Sequence, residues 1–110
     1  MNNLLLLSTV SVIELNKNNL EKLYITYNFI NKFSNSNDEL LYQKYTINDL
    51  LKIVNILSIN INVNKQNNKI FLIGIIKKSI PYIRPIIKKE INSIKKYIEL
   101  NTLMINNIQI

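Results

Sequence analysis

Apolar and polar residues alternate without a slip from Lys22 to Phe29, where Leu23, Ile25, Tyr27 and Phe29 interleave with Lys22, Tyr24, Thr26 and Asn28. Period two over eight residues predicts a half-buried strand. The preceding stretch Thr9 to Leu15 (TVSVIEL) is short and rich in β-branched residues, which favours a second strand. Asn16, Lys17, Asn18 and Asn19 read as the turn between them, so the pair predicts an antiparallel hairpin.

The period changes further along. Asn31 to Asn37 (NKFSNSN) is loop-like, and Thr46 then offers a helix cap with Asp49 three residues on. Ile47, Leu50, Leu51, Val54 and Leu57 recur at helical spacing and predict a short helix near Ile47 to Leu57, after which Ser58 breaks the apolar face. Ile59 to Val63 alternates Ile with Asn and fits either an extension of that helix or a stray strand; Asn64 to Asn68 (NKQNN) reads as a loop. From Ile70 onward Ile73, Ile76, Ile80, Ile83, Ile87, Ile91 and Ile94 step by three and four, which predicts a long amphipathic helix. Pro81 and Pro85 lie inside it. A proline removes a backbone donor and clashes with the preceding turn, so a kink or break at Ser79, Ile80 and Pro81 is expected, with Pro85 in the first turn of a second segment. The tail, Tyr97 to Ile105, returns to β-like residues. The expected order is strand, strand, helix, kinked helix, strand.

Composition narrows the chemistry. The 110 residues include 20 Asn and 22 Ile but no Ala, Cys, His or Trp, with one Gly and one Arg. Codon bias of an A/T-rich genome explains this skew, so neither the Asn content nor the preference for Lys over Arg carries functional meaning. Without His or Cys there is no zinc site, haem ligand, thiol nucleophile or Ser/His relay. With Gly74 the only glycine, neither a dinucleotide fingerprint nor a phosphate-cradling loop can be written. Asp38 and Glu39 are the tightest pair of acids, and in a polar stretch they read as a solvated loop or helix start. The sequence therefore predicts no catalytic residues, no metal and no cofactor. Leu4 to Leu7 resemble a secretory core, yet no positive charge precedes them and Glu14 closes the stretch, so no targeting segment is expected. No window has the apolar length of a membrane span.

Charge is unevenly placed. Residues 1–64 carry five Lys against five acids, whereas residues 65–110 carry eight Lys and Arg84 against Glu90 and Glu99, so the whole net charge of +7 lies in the second half. On a helical wheel Lys77, Arg84, Lys88 and Lys95 fall within ~40° of one another at about 100° per residue. Lysine fills any solvated helix face, but here acids are hardly mixed in, which points to nucleic-acid phosphates. Lys77, Lys78, Arg84, Lys88, Lys89, Lys95 and Lys96 are the candidate RNA-binding residues. On the expected strand Tyr24 and Tyr27 lie on opposite faces, Tyr27 towards the core, so they make no stacking platform for bases.

Two segments resemble ribosome-binding factor A, a small assembly factor of bacterial-type small ribosomal subunits. One is Thr9 to Leu15 with Leu20 to Tyr27, similar to that family's first two strands and polar turn. The other is Ser79 to Ile87 (SIPYIRPII) with Ile94 to Leu100 (IKKYIEL), similar to its interrupted helix and the approach to its last strand. Together they cover less than half of the chain. The resemblance implies an α+β fold: a single type II KH-like domain over 1–110, with a three-stranded sheet and a kinked helix pair. It also implies binding to small-subunit rRNA during late maturation of the 30S-type subunit. The family's opening helix is missing, Pro81 stands where the family has Gly, and residues 34–68 read as an insertion whose Ile47 to Leu57 helix substitutes for the missing one. The expectation is a monomeric ribosome biogenesis factor whose partners are small-subunit rRNA and the immature small ribosomal subunit, with no membrane. Its place would be the cytoplasm of an A/T-rich bacterium, or the lumen of a mitochondrion or plastid. The alternatives are an organellar ribosomal protein and an accessory subunit of a large protein complex.

Overall fold

The computed structural model describes residues 3–61 and 67–109, and among them there is no strand. Four helices follow one another: α1 (Asn3–Asn35), α2 (Asp38–Lys44), α3 (Ile47–Ile56) and α4 (Lys69–Gln109). The expected α+β, KH-like domain with its three-stranded sheet is therefore not the fold of this chain. Both expected hairpin strands, and the Asn16–Asn19 turn between them, are part of α1, and the expected tail strand is the end of α4. The expectation that the Ile47 to Leu57 helix substitutes for the family's opening helix fails with the sheet. Residues 62–66, which hold the end of the ambiguous Ile59 to Val63 stretch and most of the NKQNN loop, lie outside the described residues.

Period two misled because a longer period runs through the same residues. Ile13 and Ile30 are buried, and Asn16, Leu20, Leu23 and Tyr27 between them are half-buried, in steps of three and four. That is a heptad seam. Ile25, the residue that made the alternation look clean, is exposed. Asn16 sits on the seam and stays within the helix by donating from Nδ2 to the Val12 carbonyl at 2.8 Å. Thr26 does the same to the Lys22 carbonyl at 2.9 Å. Such back-bonds let short polar side chains ride inside a helix instead of ending it.

Helix α4 also runs unbroken through Pro81 and Pro85, against the expected break at Ser79, Ile80 and Pro81. The two prolines are four residues apart and exposed, so their rings lie on the solvent side of the helix. On the opposite side Ile73, Ile76, Ile80, Ile87 and Ile91 are buried. Each such burial is worth roughly 1.5–3 kcal/mol, which together outweighs about 3 kcal/mol per interior proline. Ser79 donates to the Ile75 carbonyl at 2.8 Å, again within the helix.

The chain divides into two compact units. The first comprises residues 28–85: the end of α1, all of α2 and α3, and the start of α4. Its core is Ile30 and Phe33 from α1, Leu41 from α2, Leu50, Ile53 and Val54 from α3, and Leu72, Ile73, Ile76 and Ile80 from α4. Local sequence sets its short helices. Asn37 caps α2 by accepting from the Leu40 amide, and Asp38 and Glu39 occupy the first turn, where negative charge suits the helix dipole. The acid pair is thus a helix start. Thr46 and Asp49 form the expected capping box on α3, Thr46 accepting from the Asp49 amide at 3.1 Å and Asp49 from the Thr46 amide at 3.0 Å. Those bonds hold the Asp49 carboxyl below its usual range. At the other end the Ile59 amide reaches the Val54 carbonyl and the Ser58 amide the Asn55 carbonyl, with Ser58 at φ 56°. This is a Schellman cap in which serine takes the left-handed place that glycine fills most easily.

The second unit pairs residues up to 27 with residues from 86 onward. Among the described side chains of this unit Ile13, Ile87 and Ile91 are buried. Leu20, Leu23, Ile94, Ile98 and Ile105 are half-buried. Lys88 lies over Tyr27 and Lys95 over Tyr24, so numbering falls on one helix as it rises on the other and the pair is antiparallel.

Candidate nucleic-acid interface

The seven basic residues singled out from sequence divide by what they touch. In the unit of residues 28–85, Lys77 is half-buried, and its Nζ donates to the Ser36 carbonyl and the Asp38 carboxylate, both at 2.6 Å. Arg84 is also half-buried and donates from Nε to Asn31 Oδ1 at 2.9 Å. Both tie α4 to the end of α1 and the start of α2. Lys78 is exposed. Arg84 is thus a fastener between helices in this unit.

The unit of residues up to 27 and from 86 holds the other four. Lys88, Lys89, Lys95 and Lys96 are all exposed, and they repeat as two pairs seven residues apart. Seven residues are two helical turns, or about 10.5 Å along the axis. Lys88 Nζ stands 5.9 Å from the Tyr27 ring centroid, and Lys95 Nζ 5.6 Å from the Tyr24 centroid. Both distances are in the range of a cation–π contact, which holds each lysine beside a ring without neutralising it.

Tyr24 and Tyr27 correct the sequence reading. On a strand they would face apart; on a helix, three residues apart, they share a face. Tyr24 is exposed and Tyr27 half-buried. The neighbouring aromatics that a base-stacking surface requires are therefore present, interleaved with two cations from the facing helix. The sequence signal existed as the three-residue spacing of the tyrosines, and the wrong period concealed it. Glu99, also exposed, lies four residues beyond Lys95 and sets an acidic limit to this face.

The arrangement supplies fixed positive charge beside ring faces. Among the described residues no three carboxylates, histidines or cysteines come together as a metal site. No helix among them is long and apolar enough to cross a membrane. Comparison of the chain with protein-family models, curated proteins and solved structures returns no match.

Proposed function

We propose that the chain is a non-enzymatic RNA-binding protein that holds single-stranded RNA on the face formed by Tyr24, Tyr27, Lys88 and Lys95. The observation that carries the reading is the interleaving of two tyrosines on α1 with two lysines on α4. Lysines neutralise phosphates and rings accept unstacked bases, a combination that suits single strands better than a duplex whose bases are already stacked. Lys89 and Lys96, one position further along α4, add phosphate contacts at the edge. Such contacts position RNA without reading its sequence.

Small-subunit rRNA is the first RNA to test, as the ligand of a ribosome-maturation factor. Residues 79–87 and 94–100 suggest it by a resemblance of sequence alone to ribosome-binding factor A, since α4 runs unbroken through both and the described residues hold no strand. The experiment is sedimentation of tagged protein from cells of the source organism. Co-migration with small-subunit precursors, and release by added salt, supports the maturation role; steady presence on mature subunits indicates a ribosomal protein instead.

One observation favours the accessory-subunit reading as the second choice. Ile86, Leu100, Leu103 and Met104 are large apolar side chains left exposed on α4. A partner protein that covers them would remain bound after nuclease treatment, whereas an RNA-mediated association would not.

A further inference from the structure

The unit of residues 28–85 contains a cleft of about 620 Å³ between the end of α1 and α2. Its apolar wall is a cluster of three rings. Phe29 and Phe33 have centroids 6.0 Å apart, Phe33 and Tyr45 5.9 Å, and Phe29 meets Tyr45 edge-on at 6.4 Å. Phe33 and Leu41 are buried and form a floor, while Phe29 and Tyr45 are only half-covered. Lys32 and Lys44 are the charged side chains of the lining, and no carboxylate joins them. Lys44 Nζ stands 5.4 Å from the Tyr45 ring centroid, so one cation is already held against the aromatic wall. The same two lysines border a neighbouring depression that contains the amides of Asn31 and Asn35.

We propose that this cleft binds a small amphipathic anion: a carboxylate on an apolar tail, for which decanoate is the probe. Three features argue for that class. The volume falls within the roughly 300–1,000 Å³ of ligand sites, and an apolar wall with a few convergent polar groups is their usual lining. The charge is one-sided. Lys32 and Lys44 lie in the last turns of α1 and α2. Two full positive charges there outweigh the ends of two helix dipoles, each about half a negative charge. The polar depression beside the lysines keeps a bound head group hydrated, so it need not be desolvated while the tail lies on the rings. The inference is independent of RNA binding, which involves other residues in the other unit.

Calorimetric titration of the full chain with decanoate tests it. The expected result is saturable binding at one site per chain, at least tenfold weaker for decanol, which has the tail without the charge, and undetectable for acetate, which has the charge without the tail. The double variant Lys32→Gln, Lys44→Gln replaces exposed side chains, keeps the helical circular dichroism, and weakens decanoate at least tenfold. Lys89→Gln, Lys96→Gln leaves it unchanged. Absence of saturable decanoate binding overturns the proposal, as does equal affinity for decanol. So does decanoate binding that survives the loss of both cleft lysines or is lost with Lys89 and Lys96. The wild-type comparison of decanoate with decanol stands even where a variant fails to fold.

Discussion

Replacing Lys77 by Met separates the two roles open to a lysine in the third turn of α4. By sequence it belongs to the RNA-binding stripe; in the structure its ammonium is spent on the Ser36 carbonyl and the Asp38 carboxylate. The Ser36 carbonyl lies just beyond the C-terminal end of α1, where unpaired carbonyls concentrate negative charge. A hydrogen bond from a charged donor contributes roughly 1.5–3 kcal/mol, and this one is only partly exposed, since Lys77 retains 26% of its side-chain area. Asp38 retains 73%, so the ion-pair share is screened to about 0–1 kcal/mol. Met keeps the length of the apolar stem and removes both bonds, for an expected loss of about 2 kcal/mol. For a chain of this size that lowers the thermal midpoint by about 8 °C, read from the helical circular dichroism signal. Asp38→Asn should cost less than half as much, because the Ser36 bond survives. RNA affinity and its salt dependence should be unchanged in Lys77→Met measured well below its midpoint. An unaltered midpoint together with a shallower salt dependence would show that Lys77 touches phosphate and that the fastening role is wrong.

Three further outcomes follow from the helix ends and the prolines. Ser58→Gly should raise stability by about 1 kcal/mol in urea unfolding, because glycine takes the left-handed conformation at φ 56° without a Cβ penalty; a loss of stability would contradict the Schellman geometry. Thr46→Ala should cost about 1 kcal/mol by removing the α3 cap, and should also abolish part of the acid sensitivity. The Asp49 carboxyl is held below its usual value in the folded chain, so its contribution is complete above the unfolded value and is lost as pH falls through the folded one. Wild type should therefore lose more stability than Thr46→Ala between pH 5 and the acid limit, and equal losses would refute the capping box. Pro81→Ala should stabilise α4 by about 2–3 kcal/mol, since the helix already continues through this exposed position; destabilisation would show that the chain needs the interruption.

Legibility varied with how local the signal was. The α3 helix and its Thr46–Asp49 box were readable because cap, first turn and apolar face all lie within a dozen residues. The isoleucine stripe of α4 was readable for the same reason, and its inward face is the buried one. What failed was the decision between periods two and three-and-a-half in α1. Its seam includes Asn16 and Tyr27, and its outer face includes Ile25, so the polar and apolar labels contradicted the true period. A chain with no alanine and 22 isoleucines also makes every segment look β-prone. Propensity is a weak prior, and packing of α1 against α4 overrides it. The proline break failed similarly, because the cost of two exposed prolines was weighed without the isoleucines buried behind them. Charge placement singled out α4 but could not say what its cations touch. Lys77 and Arg84 lie opposite partners from other helices, which no helical wheel of α4 alone displays.

The central claim is that Lys88, Lys89, Lys95 and Lys96 meet phosphate beside Tyr24 and Tyr27. The direct test is the anisotropy of a labelled single-stranded RNA twelve-mer titrated with the protein between 50 and 200 mM salt. Four phosphate contacts predict a slope of log K against log salt near −2.8 for a single strand, or about a 50-fold loss across that range. Lys88→Gln, Lys95→Gln should reduce the slope to about −1.4 and the loss to about sevenfold, while the helical signal is retained. The same slope in the double variant as in wild type, or equal affinity for duplex and single strand, would contradict the account.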